Sequence, residues 1–236
     1  MIDYLKKFKD SLGDIDKLEQ TPQIVRDMAV GVLEDICKDE AVQRTVRMKL
    51  EGRIQALKSI HESSIEDNFK VIYSQMCVLA VSSLEAILEE YFEYALNSSA
   101  KTEGKLVKKM DDLKITLKEL VENDLNLAGK FGSIFLEKAK LNFQDLKSIK
   151  DSFSDYLGKK IDLDEDTEKL ICFYLLARHV LVHKGGVVDD KFISASTRYL
   201  NANTKGYKKG SKIIFNPEDW MNIKKVFVKL VNEVVK

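Results

Sequence analysis

Residues 170–186 read LICFYLLARHVLVHKGG, and this stretch determines the fold class that we expect. Up to residue 182 apolar side chains occur on nearly every side of a helix, which is typical of a helix buried in a core. Gly185 and Gly186 then end it, as glycine commonly does at a helix C-terminus. Two of the three histidines and one arginine lie at this end. Burying an unpaired guanidinium would cost roughly several kcal/mol, so Arg178 must form an ion pair or face a solvent-filled cleft.

The composition favours an all-α fold. Of 236 residues, 44% are hydrophobic and 32% are charged, while only 2 are proline and 11 are glycine. So few helix-breaking residues predict a helical bundle with one or two long helices, because sheets need more turns. The one exception that we expect is a small β-hairpin near 205–215, between residues 206–208 and 212–215.

Capping residues and apolar spacing predict where the helices lie. The sequence Thr21-Pro22 suits a helix start, and Ser64 begins a capping box whose helix should run to about Asn97. Acidic residues at 162–166 should open the helix that contains the histidines. Further helices are expected near residues 109–123, 130–140, 143–157, 189–200 and from 216 to the C-terminus.

The chain is interpreted as two parts. Residues 1–60 are predicted to form an N-terminal helical arm that packs on a main domain of residues 61–236. The arm has apolar residues at helical spacing, namely Ile24, Val25, Met28, Val32 and Ile36.

Charge and cysteine usage restrict the class of protein. The net charge is zero, which argues against a protein that coats nucleic acid by bulk electrostatics. From residue 184 onwards, however, eleven Lys and Arg stand against five Asp and Glu. Cys37, Cys77 and Cys172 are far apart in apolar stretches and are expected to be reduced core thiols.

The expected localisation is cytoplasmic. The N-terminus lacks the apolar segment of a signal peptide, and no apolar stretch is expected to approach the roughly 18 residues that span a bilayer. We therefore predict a soluble protein without a membrane partner.

Arg178, His179 and His183 form the candidate catalytic group. On a regular helix the two histidines share one face, about 40° apart, whereas Arg178 and His183 are separated by about 140°. The three can converge only near the helix end. Histidine titrates near neutral pH and can move the 2′-hydroxyl or leaving-group proton in metal-free RNA cleavage. The fork of donors on Arg178 would stabilise the phosphate charge, and the candidate substrate-binding residues are Lys184, Lys205, Lys208 and Lys209.

This pattern resembles the HEPN superfamily (higher eukaryotes and prokaryotes nucleotide-binding). The resemblance rests on the spacing Arg178-x4-His183, the polar residue His179 and the tail KGGVVD at residues 184–189. It covers about residues 65–236. It implies a helical bundle that dimerises so that two Arg/His motifs face one cleft. It further implies a metal-independent endoribonuclease without a cofactor, acting in a toxin-antitoxin or anti-phage defence system with an antitoxin or another defence protein as partner. Gly185 stands where members with a nucleotidyltransferase antitoxin often carry tyrosine, so that subgroup's modification is not expected.

Arg178, His179 and His183 also allow interpretations other than catalysis. Arg178 and His183 could be a structural pair that binds an acid such as Asp189 or Glu85, on a scaffold that binds RNA or nucleotide, or a protein, without cutting. His179 and His183 have the spacing of two metal ligands, although no HExxH glutamate accompanies them.

Three further residues or groups have a functional and a structural interpretation. The glutamate row Glu85, Glu89 and Glu93 could imitate a metal or acid/base site but is expected to be a solvated face. Tyr207 could stack on a base or lie in a solvated loop. Trp220 could stack on a base but is expected to anchor the core.

Overall fold

The computed structural model describes residues 2–39, 41–59, 62–102, 114–122, 129–200 and 207–236. These residues form nine helices and a single isolated β-bridge, so the predicted all-α helical bundle is confirmed. The helices are α1 (Tyr4–Lys38), α2 (Arg44–Lys58), α3 (Glu62–Thr102), α4 (Leu117–Glu122), α5 (Phe131–Ala139), α6 (Leu146–Leu157), α7 (Glu165–His183), α8 (Asp190–Leu200) and α9 (Pro217–Val235).

Helix α3 is the centre of the bundle, and α1, α5, α9 and α7 pack against it. Its middle part is buried on several sides, at Met76, Cys77, Ala80, Val81 and Leu84. The segment Val71–Ser98 is long and apolar enough to cross a membrane, so the expectation that no apolar stretch approaches that length is wrong. Half of its apolar window is buried inside the protein, and the core helix of a soluble protein has the same composition.

Helix α1 begins far earlier than its sequence suggests. The side chain of Asp3 caps it by accepting a hydrogen bond from the Lys6 N–H, and the helix continues through Pro22. The predicted start near Thr21-Pro22 is therefore wrong. Packing explains the difference, because the first four turns bury an apolar stripe in the common core, formed by Tyr4, Phe8, Leu12 and Ile15. The five apolar positions named for the arm, residues 24, 25, 28, 32 and 36, are exposed instead.

The predicted hairpin near 205–215 is wrong in its pairing. In the part described from Tyr207 onwards, Lys212 forms an antiparallel bridge with Val187, in the segment that follows α7. The N–H of Val188 donates to the Ser211 carbonyl at 2.9 Å, and the N–H of Ile213 donates to the Gly186 carbonyl at 2.9 Å. Residues 210–213 therefore hold the chain that leaves the histidine helix.

The ends of α7 follow their local sequence. Asp164 caps the N-terminus by accepting hydrogen bonds from the Thr167 N–H at 2.9 Å and hydroxyl at 2.7 Å. At the other end Gly185 and Gly186 have positive φ values of 59° and 79°, which favour glycine, and Gly186 donates its N–H to the Val180 carbonyl. The acidic start and the glycine end that the sequence predicts are confirmed.

Candidate functional site

Arg178 lies against α3, where it pairs with Glu85. Its Nη2 atom is 3.5 Å from Oε2 of Glu85, and the side chains are 18% and 17% exposed. A charge-assisted hydrogen bond is usually about 2.7–2.9 Å long, so this ion pair is loose. Within the described residues, neither Nε of Arg178 nor Oε1 of Glu85 has a hydrogen-bond partner, although both atoms are buried. The pair balances charge but leaves hydrogen-bonding capacity unused on both sides.

The carboxyl of Glu85 is electrostatically perturbed. Burial raises its pKa above the usual value, Arg178 opposes that rise, and Glu89 adds to it. The expectation of a solvated glutamate row is therefore wrong for Glu85, the one member that contacts the motif. A signal for this was present, because Glu85 is the only Asp, Glu, Lys or Arg between residues 71 and 88.

His179 and His183 lie side by side at the end of α7. Their ring centroids are 4.6 Å apart at an interplanar angle of 51°, as the i, i+4 spacing suggests. Both residues are exposed, as is Lys184 directly after them. Two imidazoles and one ammonium group are thus accessible to a ligand at this helix end.

His179 separates two cavities. One has a volume of 580 Å³ and lies mainly between α6 and α7, and the other has a volume of 510 Å³ and lies between α7 and the start of α8. Leu176 and His179 line both of them. As far as the described residues define their walls, neither cavity is lined by Arg178 or His183. In one copy of the chain, Arg178 therefore faces α3 while His179 faces α6 and α8.

Four of the five charged side chains around the first cavity form pairs, and the fifth, Asp145, caps α6 by accepting the Ser148 N–H. Lys150 forms an ion pair with Glu168 at 2.5 Å, and Lys147 forms one with Asp151 at 2.8 Å. Cys172 also lines this cavity, so it is only half-buried and not a full core residue as expected. Burial raises the pKa of its thiol to about 11, which makes the reactive thiolate scarce at neutral pH.

The second cavity has lysines at its rim and two aspartates beside them. Lys184 and Lys191 line it together with Asp189 and Asp190. Asp189 caps α8 by accepting the Phe192 N–H at 2.8 Å, and Asp190 pairs with Lys209 at 2.5 Å.

The predicted substrate-binding lysines take different places. Lys184 lines the cavity, Lys209 reaches its edge through Asp190, and Lys208 is exposed. Lys205 lies outside the described residues. The ring of Tyr207 packs against Phe173 and Phe192, at centroid distances of 6.4 and 5.6 Å, and is not free to stack on a base.

Taken together, the end of α7 offers two imidazoles, a guanidinium and a lysine without a clustered set of metal ligands. No group of three or more His, Cys, Asp or Glu side chains that could hold a metal ion occurs among the residues described. Such a group of side chains can transfer protons and bind an anion. The chain matches no family model, no curated protein and no solved structure.

Proposed function

We propose that this protein is a metal-independent endoribonuclease of the HEPN type, acting at the end of α7. One observation carries the proposal. The mostly buried Arg178 holds its guanidinium in a loose ion pair and has an unused Nε donor. One and five residues after it come the exposed His179 and His183, whose rings are 4.6 Å apart. A buried donor without a partner is uncommon in proteins. A phosphate oxygen is a partner that fits a guanidinium, and it can reach Arg178 when the side chain turns away from Glu85.

The reaction assigned to the site is attack of the RNA 2′-oxygen on the adjacent phosphorus. The bond from phosphorus to the 5′-oxygen breaks, which gives a 2′,3′-cyclic phosphate and a 5′-hydroxyl end. His183 accepts the proton of the 2′-hydroxyl and gives a proton to the departing 5′-oxygen. Arg178 stabilises the negative charge that develops on the phosphate, and His179 orients the phosphate. Lys184, Lys208 and Lys209 bind neighbouring phosphates.

The proposal includes a homodimer in which two α7 ends face one cleft. In a single copy Arg178 and His179 face different neighbours, and a second copy would bring a second arginine and histidine to the same RNA. An exposed apolar side chain supports a contact here, because Val182 follows Arg178 by one turn on the same side of α7. The expected interface is two-fold symmetric, as in most dimers.

The test is cleavage of RNA in the presence of EDTA. Wild-type protein should cut, and Arg178→Ala and His183→Ala should each lower the rate on the order of 100-fold or more. Arg53→Ala and His61→Ala are the matched controls and should cut normally, and circular dichroism should give equal helicity for all five proteins. The products should carry cyclic phosphate ends.

Three outcomes would contradict the proposal. Wild-type protein that leaves RNA intact excludes the activity, and alanine variants that cut equally well exclude the assigned residues. Cleavage that EDTA abolishes would identify a metal-dependent hydrolase.

A second candidate is a non-catalytic module that binds RNA, nucleotide or another protein through the same helix end. The ion pair between Arg178 and Glu85 favours it, because a paired arginine can serve structure alone. RNA that binds in a fluorescence-anisotropy assay and stays intact would support this candidate. Under both candidates the partner implied by the resemblance is an antitoxin or another defence protein.

A further inference from the structure

Helix α1 has a second apolar face that nothing in the described structure covers. Its buried face begins with Tyr4, Phe8, Leu12 and Ile15 and continues as partly buried positions towards Cys37. About 100° away around the helix, five apolar side chains are between 36% and 66% exposed, namely Leu18, Val25, Met28, Val32 and Ile36. We call these five residues the α1 seam.

The α1 seam has the spacing of a helix that pairs with another helix. Leu18, Val25 and Val32 are seven residues apart, and Met28 lies between the last two at the other position of a heptad. Between residues 18 and 32 the heptad positions on either side of the seam are uncharged. They are occupied by Pro22, Ile24, Ala29 and Gly31. The small side chains of Ala29 and Gly31 allow a second helix to approach closely.

Charges at the two ends of the α1 seam indicate which helix fits. One end has Asp14 and Lys17, which pair at 2.6 Å, and the other has Asp35 and Lys38, which pair at 2.9 Å. If a second α1 lies antiparallel with Val25 against Met28, Lys17 comes beside Asp35 of the second copy and Asp14 beside its Lys38. In a parallel pair, equal charges would meet instead. Exposed ion pairs add little affinity, but they select the orientation of two helices.

We propose that two copies of this chain associate through an antiparallel pair of α1 helices, with the two-fold axis between Val25 and Met28. The α1 seam is about 27 Å long and a helix is about 10 Å wide, so the contact offers on the order of 300 Å² per copy. A standard interface buries roughly 800 Å² per partner. The expected dimer is therefore weak and reversible, and dissociates in the micromolar range. This inference does not depend on the proposed nuclease activity.

Sedimentation equilibrium of the full chain over micromolar concentrations tests the proposal. Wild-type protein should associate through α1, into dimers or, where the proposed cleft dimer also forms, into larger assemblies. Val25→Glu/Met28→Glu should raise the dissociation constant of the α1 contact at least ten-fold, because four carboxylates would meet at the axis. The control is Val46→Glu/Met48→Glu, which places the same charges at exposed apolar positions of α2 and should leave the constant unchanged. Circular dichroism should give equal helicity for the three proteins.

A monomeric wild-type protein would overturn the α1 dimer. A wild-type dimer that Val25→Glu/Met28→Glu leaves intact would overturn it too, while the cleft dimer of the proposed nuclease would stand. Equal weakening by the control pair would show that the α1 seam is not the contact.

Spin labels test the orientation in a way that does not depend on destabilising variants. Gln20 and Asp27 are exposed and occupy the same heptad position, so labels at Gln20→Cys and Asp27→Cys have the same lateral offset. The native cysteines that a label could reach are removed by Cys37→Ser and Cys172→Ser. Cys77 can stay because it is fully buried. In the antiparallel pair, the two labels at position 27, one on each copy, lie at nearly the same height along the helix axis. The two labels at position 20 are about 20 Å apart along the same axis. Equal distances at both sites would indicate parallel helices and overturn the proposed register.

Discussion

Arg178 and Glu85 form the ion pair that joins α7 to α3, with Nη2 of the arginine 3.5 Å from Oε2 of the carboxylate. The loose geometry leaves much of the cost of burying the carboxylate uncompensated, and burial is the largest cause of the raised pKa of Glu85. The same contact links the candidate site to the stability of the bundle. Protonation of Glu85 in turn would free Arg178 from its partner.

The pH dependence of stability should reveal this carboxyl. Because the pKa of Glu85 is raised above 4.5 in the folded protein, the folded state binds its proton more readily than the unfolded state. This contribution to stability is present below pH 4.5 and is lost as the pH rises through the folded pKa. In the wild-type protein, the free energy of unfolding should therefore fall as the pH rises from 4.5 towards neutrality. Glu85→Gln should remove this part of the pH dependence. Urea unfolding at a series of pH values measures it, and an unchanged slope would contradict the assignment. Glu51→Gln, at an exposed position of α2, is the control.

The sequence predicted the elements that depend on local signals and missed those that depend on contacts distant in the chain. The helices α5, α6, α8 and α9 were found from apolar spacing and caps, and Asn216 and Asp219 form the capping box at the start of α9. The start of α1 was missed because burial of Tyr4 and Phe8 against other helices outweighs the weak local preference of a charged segment. The bridge from Lys212 to Val187 was missed because the two residues are separated by α8.

The same distinction holds at the site. His179 and His183 lie side by side because residues four apart share one face of a helix, so their spacing alone predicts this contact. The side of the helix on which Arg178 finds its partner depends on where α3 packs, and no local pattern contains that information. The sequence offers both Asp189 and Glu85 as the acid, and only the isolation of Glu85 as a charge in an apolar stretch could have decided between them.

The contact between α5 and α3 should be sensitive to a single methyl group. A Cβ atom at Gly132 would lie 2.6 Å from the Glu93 carbonyl oxygen and 2.9 Å from its Cα, and backbone atoms cannot move aside cheaply. We expect Gly132→Ala to lower the free energy of unfolding by about 1–3 kcal/mol. Gly13→Ala in α1 is the control, since its Cβ meets nothing within 4 Å, and it should stabilise by about 0.5–1 kcal/mol. Chemical denaturation gives both values, and a neutral Gly132→Ala would mean that the two helices are farther apart.

The cap of α7 should depend on Lys229. Its ammonium group, followed by the Thr167 hydroxyl and N–H, holds the pKa of Asp164 well below its usual range. A lowered pKa stabilises the fold above pH 3.8, and the contribution is lost as the pH falls below that value. Lys229→Met should therefore lower the melting temperature at neutral pH and have a smaller effect near pH 2. The control is Lys225→Met, at an exposed position of α9. An equal loss at both pH values would show that Lys229 acts by packing and not through its charge.

The attachment of α1 to α9 should be measurable through the single tryptophan. Trp220 is 1% exposed, and its indole N–H donates to Oδ1 of Asp16 at 2.6 Å, while Lys224 contacts the same oxygen at 2.8 Å. Asp16→Leu leaves the buried N–H without an acceptor, which should lower the free energy of unfolding by about 1–3 kcal/mol.

Asp16→Asn keeps an amide oxygen for the indole and should recover most of the loss from Asp16→Leu. Asp14→Leu, which removes an exposed carboxylate paired only with Lys17 among the described residues, should cost far less. Urea unfolding followed by tryptophan fluorescence reports all three variants, because Trp220 is the only tryptophan. If Asp16→Asn were as destabilising as Asp16→Leu, the charge that pairs with Lys224, and not the indole hydrogen bond, would join the two helices.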